Sequence, residues 1–269
     1  MASTAQINYL KSLLSKVMGA SVEDYSIDND TPVKAASWLI DKLKSGYKVT
    51  VEEWKAELRN HIRNASPVPS ELVKPDSGMY DKSIFEYLLR GVTDPTLRKF
   101  SEALIEKVPD YFYRVPASTG GKNHPQFAQG TGGLVRHTMG CLKVAEELLD
   151  NPLFTSELPE LGDQMLRVAL AFHDSFKQGL NFDGYAFEHP LWPRRVYEKE
   201  LKGTLGFTPE QEEIVDQVLS AIDSHMGPWN KDSWGRSHVT LPIPETPLEK
   251  LTHLADYIAS RKFITLPEV

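Results

Sequence analysis

The residues of this chain best suited to chemistry are histidines and aspartates that end or interrupt apolar helical segments. His173 and Asp174 follow directly on the largely apolar run 166–172, and Lys177 comes three residues after Asp174. A buried imidazole or carboxylate is costly unless a cation or hydrogen bonds compensate for the lost water. Taken alone, such a stretch is more often a capping aspartate beside a hydrogen-bonded core histidine.

Three further histidines and one aspartate lie at the ends of predicted helices or within them. His137 lies near the start of a predicted helix, His189 precedes another, His225 ends a third, and Asp256 lies within the last. Imidazoles and carboxylates suit Mn²⁺, Fe, Co²⁺, Ni²⁺, Zn²⁺ or Mg²⁺ as ligands. Because no thiolate is among them, they do not suit a structural zinc site. A bridging carboxylate such as Asp174 can hold two ions, which lower the pKa of a shared water and bind a phosphoryl oxygen. Jointly, these residues predict a site for one or two divalent metal ions.

The elements that must position them are helical almost throughout, so we expect an all-α fold. Residues 1–63 predict a small helical N-terminal module, and the proline-containing stretch 64–82 predicts a linker. Residues 83–269 form the predicted main domain.

The segment from Tyr111 to Ala145 contains four Lys or Arg residues and no Asp or Glu. Its glycine-rich parts are predicted loops, which would offer backbone N–H groups and cations together to a phosphate. A solvated basic loop fits the same pattern.

Composition narrows the possible partners and compartments. The net charge of −7 argues against long duplex nucleic acid as the main partner, although a local basic pocket would suffice for a nucleotide or short single strand. Cys141 is the only cysteine, which excludes an intramolecular disulfide. The chain shows no secretory signal or membrane-spanning segment, so we expect a cytoplasmic protein without a membrane partner.

The pattern of His137, His173-Asp174 and Asp256 resembles that of the HD superfamily of metal-dependent phosphohydrolases. The resemblance covers residues 95 to 265 and includes Gly132-Gly-Leu-Val-Arg-His137-Thr, His173-Asp-Ser-Phe-Lys177 and Ala255-Asp256-Tyr-Ile-Ala-Ser-Arg-Lys262. It implies an HD-domain helical bundle. Pro116-Ala-Ser, His124 and Ser224-His225-Met-Gly-Pro-Trp229 are similar to the HD half of certain 3′-to-5′ exoribonucleases. Those enzymes usually carry an OB-fold, whereas the amino-terminal region here is predicted to be helical.

The resemblance also implies roles for individual residues. His137, His173, Asp174 and Asp256 would hold a first metal ion, and His189 and His225 a second, with Asp174 bridging. Lys177 would stabilise charge on a phosphoryl oxygen, or alternatively form a salt bridge to Asp174. The candidates for phosphate binding are Lys122, His124, Arg136, Arg194 and Arg195, of which the last two fit an exposed helix face equally well. Trp229 is a candidate for stacking a base, although such an aromatic is more often a packing residue.

The function implied is hydrolysis of a phosphoester, in a nucleotide or short single-stranded oligonucleotide, by metal-activated water. One alternative is a phosphohydrolase specific for nucleoside mono- or triphosphates rather than a nuclease. Another is an inactive module that binds metal or nucleotide. His253 fits no ligand pattern, and Cys141 is predicted to be a core residue.

Overall fold

The computed structural model describes residues 2–21, 23–25, 27, 31–65, 80–118, 124–182 and 186–262. The chain divides into two compact units, Met1–Pro69 and Ser70–Val269. Within the described residues there is no β-strand, only one antiparallel bridge between Lys231 and Thr240. The predicted all-α fold is therefore confirmed. Most of the predicted linker, residues 66–79, lies outside the described residues.

The first unit consists of helices α1 (Thr4–Met18), α2 (Val33–Lys44) and α3 (Val51–Ala65). Ser3 and Gln6 form a capping box at the start of α1, as that pair predicts. Leu10 and Leu39 are fully buried in its core. Trp54 is also fully buried, and its indole Nε1 donates a hydrogen bond to the Tyr25 carbonyl at 2.8 Å.

The second unit contains the remaining helices, joined in places by short 3₁₀ turns. The helices are α4 (Ile84–Leu88), α5 (Pro95–Ile105), α6 (Gly133–Leu149), α7 (Pro152–Thr155), α8 (Gly162–Phe172), α9 (Trp192–Val196), α10 (Lys202–Leu205), α11 (Pro209–Asp223) and α12 (Pro247–Ala259). A π-helical turn, Tyr197–Leu201, connects α9 to α10. None of the helices in the described part of the chain is long and apolar enough to cross a membrane.

Helices α6, α8, α11 and α12 pack against one another and carry most of the candidate ligands. Two of them begin at capping boxes, Thr208 with Gln211 in α11 and Thr246 with Glu249 in α12. In each box a proline occupies the first helical position, directly after the threonine. Behind the end of α8, the ring of Phe172 stacks on Phe85 with centroids 5.0 Å apart. This apolar packing holds the last turn of α8 in place.

Candidate metal centre

The four packed helices bring the six predicted ligands together in one buried cluster. His137 lies in the second turn of α6, His173 and Asp174 follow α8, and Asp256 lies in the last turns of α12. His189 comes from the 3₁₀ turn before α9, and His225 follows the end of α11. Each of the four histidines is at most 1% exposed.

Asp174 lies between two groups of ligand atoms and turns one carboxylate oxygen to each. Its Oδ2 lies 3.7 Å from His137 Nε2 and 3.6 Å from His173 Nε2. Its Oδ1 lies 3.0 Å from His189 Nε2 and 3.7 Å from His225 Nε2. Asp256 joins the first group, with its Oδ1 3.0 Å from His137 Nε2. The arrangement is that of a carboxylate shared by two sites.

The orientation of three of the imidazoles directs their Nε2 atoms toward the centre of the cluster. Nδ1 lies 2.7 Å from the Leu170 carbonyl in His173, 2.9 Å from the Ala186 carbonyl in His189 and 2.7 Å from the Ile222 carbonyl in His225. A carbonyl can only accept, so each Nδ1 carries a proton, and in the neutral form of each ring the lone pair is on Nε2.

The Nε2 atoms of the four imidazoles face one another in two pairs across short distances. His189 Nε2 lies 3.2 Å from His225 Nε2, and His173 Nε2 lies 3.4 Å from His137 Nε2. Asp174 Oδ1 is buried without a hydrogen-bond partner. Acceptors that face acceptors repel unless a cation lies between them. Two ligand atoms about 2.1 Å from one ion are separated by roughly 3.0–3.5 Å, which matches most of these distances.

Three buried ligands have pKa values shifted in the direction that favours metal binding at neutral pH. Burial lowers the pKa of His173 to about 4, despite the nearby carboxylates. Burial also lowers the pKa of His189. In His225 burial acts in the same direction, but the carboxylates of Asp174 and Asp256 outweigh it and raise the pKa of that imidazole. In Asp174 burial acts in the opposite direction, but Lys177 and His173 hold its pKa well below the usual value. Neutral imidazoles beside ionised carboxylates are the protonation states in which these groups bind metals.

Lys177 reaches this centre from the turn after α8. Its Nζ forms an ion pair with Asp174 Oδ2. The Lys177 side chain is 17% exposed and lines the cavity above the cluster. The predicted salt bridge to Asp174 is therefore present, and it lies at the wall of the cavity.

His124 and Cys141 lie against the first group of ligands. The His124 ring meets the His137 ring edge-on at 4.7 Å, and its Nδ1 is buried without a partner. Burial lowers the pKa of His124 to about 3, so the ring is neutral. Cys141 is fully buried, as predicted for a core residue, but its Sγ lies 3.5 Å from His137 Nε2. His137 and Cys141 are four residues apart on one helix, and this spacing in the sequence indicates that their side chains are neighbours.

Three predicted phosphate-binding arginines do not line the cavity, and their partners explain why. Arg136 is buried and donates to the carbonyls of Phe127, Gln129 and Thr131. Arg194 forms ion pairs with Asp216 and Asp223, and Arg195 pairs with Glu188. These contacts give Arg136, Arg194 and Arg195 partners within the protein and away from the cavity, so phosphate binding by these residues stays a prediction. Lys122 lies outside the described residues.

The end of the glycine-rich loop, at Gly132 and Gly133, is buried, and its backbone N–H groups donate to carbonyls of the protein. Gly132 N–H donates to the Arg114 carbonyl at 2.9 Å, and Leu134 N–H to the Val115 carbonyl at 3.0 Å. A Cβ at Gly133 would lie 2.3 Å from the Ala128 carbonyl oxygen. The glycine thus permits the close packing that sets the start of α6 and the direction of His137.

Sequence reasoning missed His253, which supports His225 from α12. Its Nδ1 lies 2.7 Å from the His225 carbonyl, so this nitrogen donates the hydrogen bond. The next turn can approach the His253 ring only because residue 227 is glycine. A Cβ at Gly227 would lie 2.3 Å from His253 Cε1, and φ there is +59°.

We expect Gly227→Ala to destabilise the second unit by at least about 2 kcal/mol, through left-handed strain and displacement of His253. Gly235→Ala is the matched control, because Gly235 has φ of +66° and open space around its Cα. That control should cost only about 1 kcal/mol. Urea unfolding of both variants measures the difference, and equal losses would contradict the role assigned to His253.

We also expect divalent metal to stabilise the protein. A cation that binds only the folded state adds about 2.7 kcal/mol at a free concentration of 100 times its Kd, which raises Tm by roughly 5–11 °C. His225→Ala should lose most of this rise, whereas the exposed His238→Ala should keep it. Thermal unfolding with EDTA and with Mn²⁺ or Zn²⁺ tests this. An unchanged Tm with every metal would contradict the centre.

Comparisons with known proteins gave no match to this chain. No protein-family model matches the chain, and neither curated proteins nor solved structures give a significant match.

Proposed function

We propose that this chain is a metal-dependent phosphohydrolase of the HD type. The observation that carries the proposal is Asp174, whose two oxygens face two separate groups of imidazole nitrogens in a buried pocket. Divalent ions held there would supply an activated water and positive charge for a phosphoryl oxygen. The His…His-Asp…Asp order of the ligands along the chain supports the same class.

The residues around the cluster have the properties that phosphoester hydrolysis needs. His189 and His225 offer imidazole nitrogens on one side of Asp174, and His137 lies with Asp256 on the other. Lys177 places a cation at the edge of the cluster, where it would stabilise negative charge that develops on a non-bridging oxygen. The cavity above them admits a ligand from solvent, because exposed residues such as Trp229 and Lys231 form its rim.

The substrate we propose is a nucleotide or a short single-stranded oligonucleotide. Cations and exposed aromatic rings line the same cavity, which suits a ligand that has both phosphates and bases. A phosphohydrolase limited to nucleoside mono- or triphosphates is the second candidate. An inactive binding module is the third, and the complete set of six ligands argues against it.

The experiment incubates the protein and Mn²⁺ with 5′-labelled single-stranded RNA, its DNA counterpart, and a panel of nucleoside mono- and triphosphates. Asp174→Ala is the inactive variant. Asp110→Ala is the matched control, because Asp110 is exposed and lies outside the cavity. We expect product with the wild type and the control but not with Asp174→Ala. Failure to cleave any of these compounds with Mn²⁺, Fe²⁺, Co²⁺, Ni²⁺, Zn²⁺ or Mg²⁺ would overturn the proposal.

A further inference from the structure

Three aromatic rings form a cluster beside the metal centre. The indole of Trp229 stacks on Tyr257 with centroids 5.4 Å apart and planes 14° apart. The His253 ring lies 6.0 Å from each of them, and the Arg261 guanidinium lies over the Tyr257 ring at 4.4 Å. We call Trp229, His253, Tyr257 and Arg261 the aromatic platform.

The platform is tied directly to the metal ligands. Tyr257 follows Asp256 on α12, and His253 donates its hydrogen bond to the carbonyl of His225. Trp229 comes four residues after His225, in the turn that Gly227 makes possible. The platform is therefore connected to both groups of ligands, through Asp256 to the first and through His225 to the second.

Trp229 is nevertheless not buried by its neighbours. Its side chain is 51% exposed although it lines a cavity, and it stacks on Tyr257 instead of entering the core. A packing tryptophan normally covers most of its surface, because its apolar area is the source of its stabilising effect. An indole supported by another ring and open to a cavity is typical of a surface on which a base stacks.

Five cationic and three anionic side chains line the cavity, a positive balance in a chain whose net charge is −7. The cationic residues that line the cavity are Lys177, Lys231, Arg236, Arg261 and Lys262. The carboxylates that line it are Asp174 and Asp256, which belong to the centre, and Asp232. Asp232 accepts backbone N–H groups of the segment 234–237 and forms an ion pair with Arg236 at 3.6 Å. The cavity of about 1130 Å³ exceeds the roughly 300–1,000 Å³ of ordinary small-molecule pockets.

We propose that the aromatic platform is a nucleobase subsite, in which a base stacks on Trp229 while its phosphate lies at the metal centre. Trp229 is then the residue that makes the site select phosphoesters with a base over phosphoesters without one. The phosphate position rests on the function proposed above, whereas stacking on Trp229 does not. Lys231, Arg236 and Lys262 lie where a second phosphate of the same ligand would bind.

The test measures binding of two fluorescein-labelled strands by anisotropy, in Ca²⁺ and under conditions where gels show both strands intact. One strand is a pentamer of thymidylate, and the other is a pentamer of abasic residues with the same phosphates. We expect the thymidylate strand to bind more tightly to the wild type. Trp229→Leu should lose about 5- to 150-fold in affinity for thymidylate, the range for removal of one stacked base, and little for the abasic strand.

Two further variants separate stacking from general damage. Trp229→Phe should restore most of the discrimination, because it keeps a ring on Tyr257. Trp192→Leu is the matched control, since Trp192 also has an arginine over its ring, at 5.1 Å, but does not line the cavity. It should bind both strands like the wild type. Equal affinity of the wild type for the two strands, or an equal loss on both in Trp229→Leu, would overturn the platform.

Competition by thymidine 5′-monophosphate distinguishes a single nucleotide from a strand. If the pentamer competes much better than the monophosphate, the outer cations bind a further phosphate. Equal competition would overturn that part of the inference and leave the base subsite. Binding that depends on Trp229 without any turnover would support the platform and contradict the hydrolase. Turnover of base-bearing and abasic strands at equal rates would support the hydrolase and contradict the platform.

Discussion

Asp174→Asn should lower turnover of the substrate at least about 1000-fold, which corresponds to about 4 kcal/mol in the activation barrier. The change keeps the size of the side chain but removes the charge that both groups of ligands share. It also places an amide N–H₂ where His189 and His225 present their lone pairs. We therefore expect the metal content, measured by mass spectrometry of the purified protein, to fall together with turnover.

Asp110→Asn is the control for the loss of one exposed carboxylate, and it should keep both turnover and metal content. A far-ultraviolet circular dichroism spectrum establishes that Asp174→Asn is folded. If folded Asp174→Asn kept a tenth of the wild-type rate with two ions bound, Asp174 would not be the shared carboxylate of the centre.

Glu146→Ala should destabilise the second unit by about 3–5 kcal/mol, because it removes the partner of two buried guanidinium groups. Glu146 on α6 accepts from Arg167 on α8 at 2.6 Å and from Arg90 at 2.7 Å, and these three side chains are 10–14% exposed. Arg167 also donates to the Leu88 carbonyl at the end of α4. The cluster joins two helices that carry ligands to a third, so metal affinity should fall with stability.

The dependence of this effect on pH follows from the pKa of Glu146. Burial opposes the charged form, but Lys143, Arg167 and Arg90 together hold the pKa of Glu146 below its ordinary value of 4.5. A lowered pKa in the folded state contributes stability above the unfolded value, and that contribution is lost as pH falls through the folded value. The difference between wild type and Glu146→Ala should therefore be full at pH 7 and shrink below about pH 4.5.

Glu106→Ala provides the comparison, since Glu106 forms an ion pair with Lys82 in which both side chains are exposed. Its loss should change the free energy of unfolding by no more than about 1 kcal/mol. Urea unfolding of the variants at pH 7 and pH 4 gives all the values. An effect of Glu146→Ala as small as that of Glu106→Ala would show that the buried cluster does not hold these helices together.

The helices and the six clustered residues could be predicted because their signals are local. Capping boxes such as Thr208 with Gln211 mark a helix start within four residues. A polar residue at the end of a buried helix, such as His173, has to find a partner inside the protein. The superfamily to which this pattern was assigned stays a proposal, as do the reaction and its substrate.

The contacts that could not be predicted form only when the chain folds, and some of them join residues far apart in the sequence. Arg194 looks like a free cation, but the acids that bind it are 22 and 29 residues further on. Arg136 has carbonyl partners whose positions depend on how the glycine-rich loop folds back. The stack of Trp229 on Tyr257 joins residues from separate segments. Charge and residue type are readable from a sequence, whereas such contacts require the fold.

The hydrogen bonds that hold the imidazoles have a consequence for how metal enters and leaves. His173, His189 and His225 each bond to a carbonyl three residues earlier, so their orientations are fixed by their own backbone turns. The conformational entropy of these rings is lost when the chain folds, not when the ion binds. The centre is preorganised. Metal-free protein should keep the same imidazole tautomers, visible as unchanged ¹⁵N connectivities, and exchange one ion for another without a folding step.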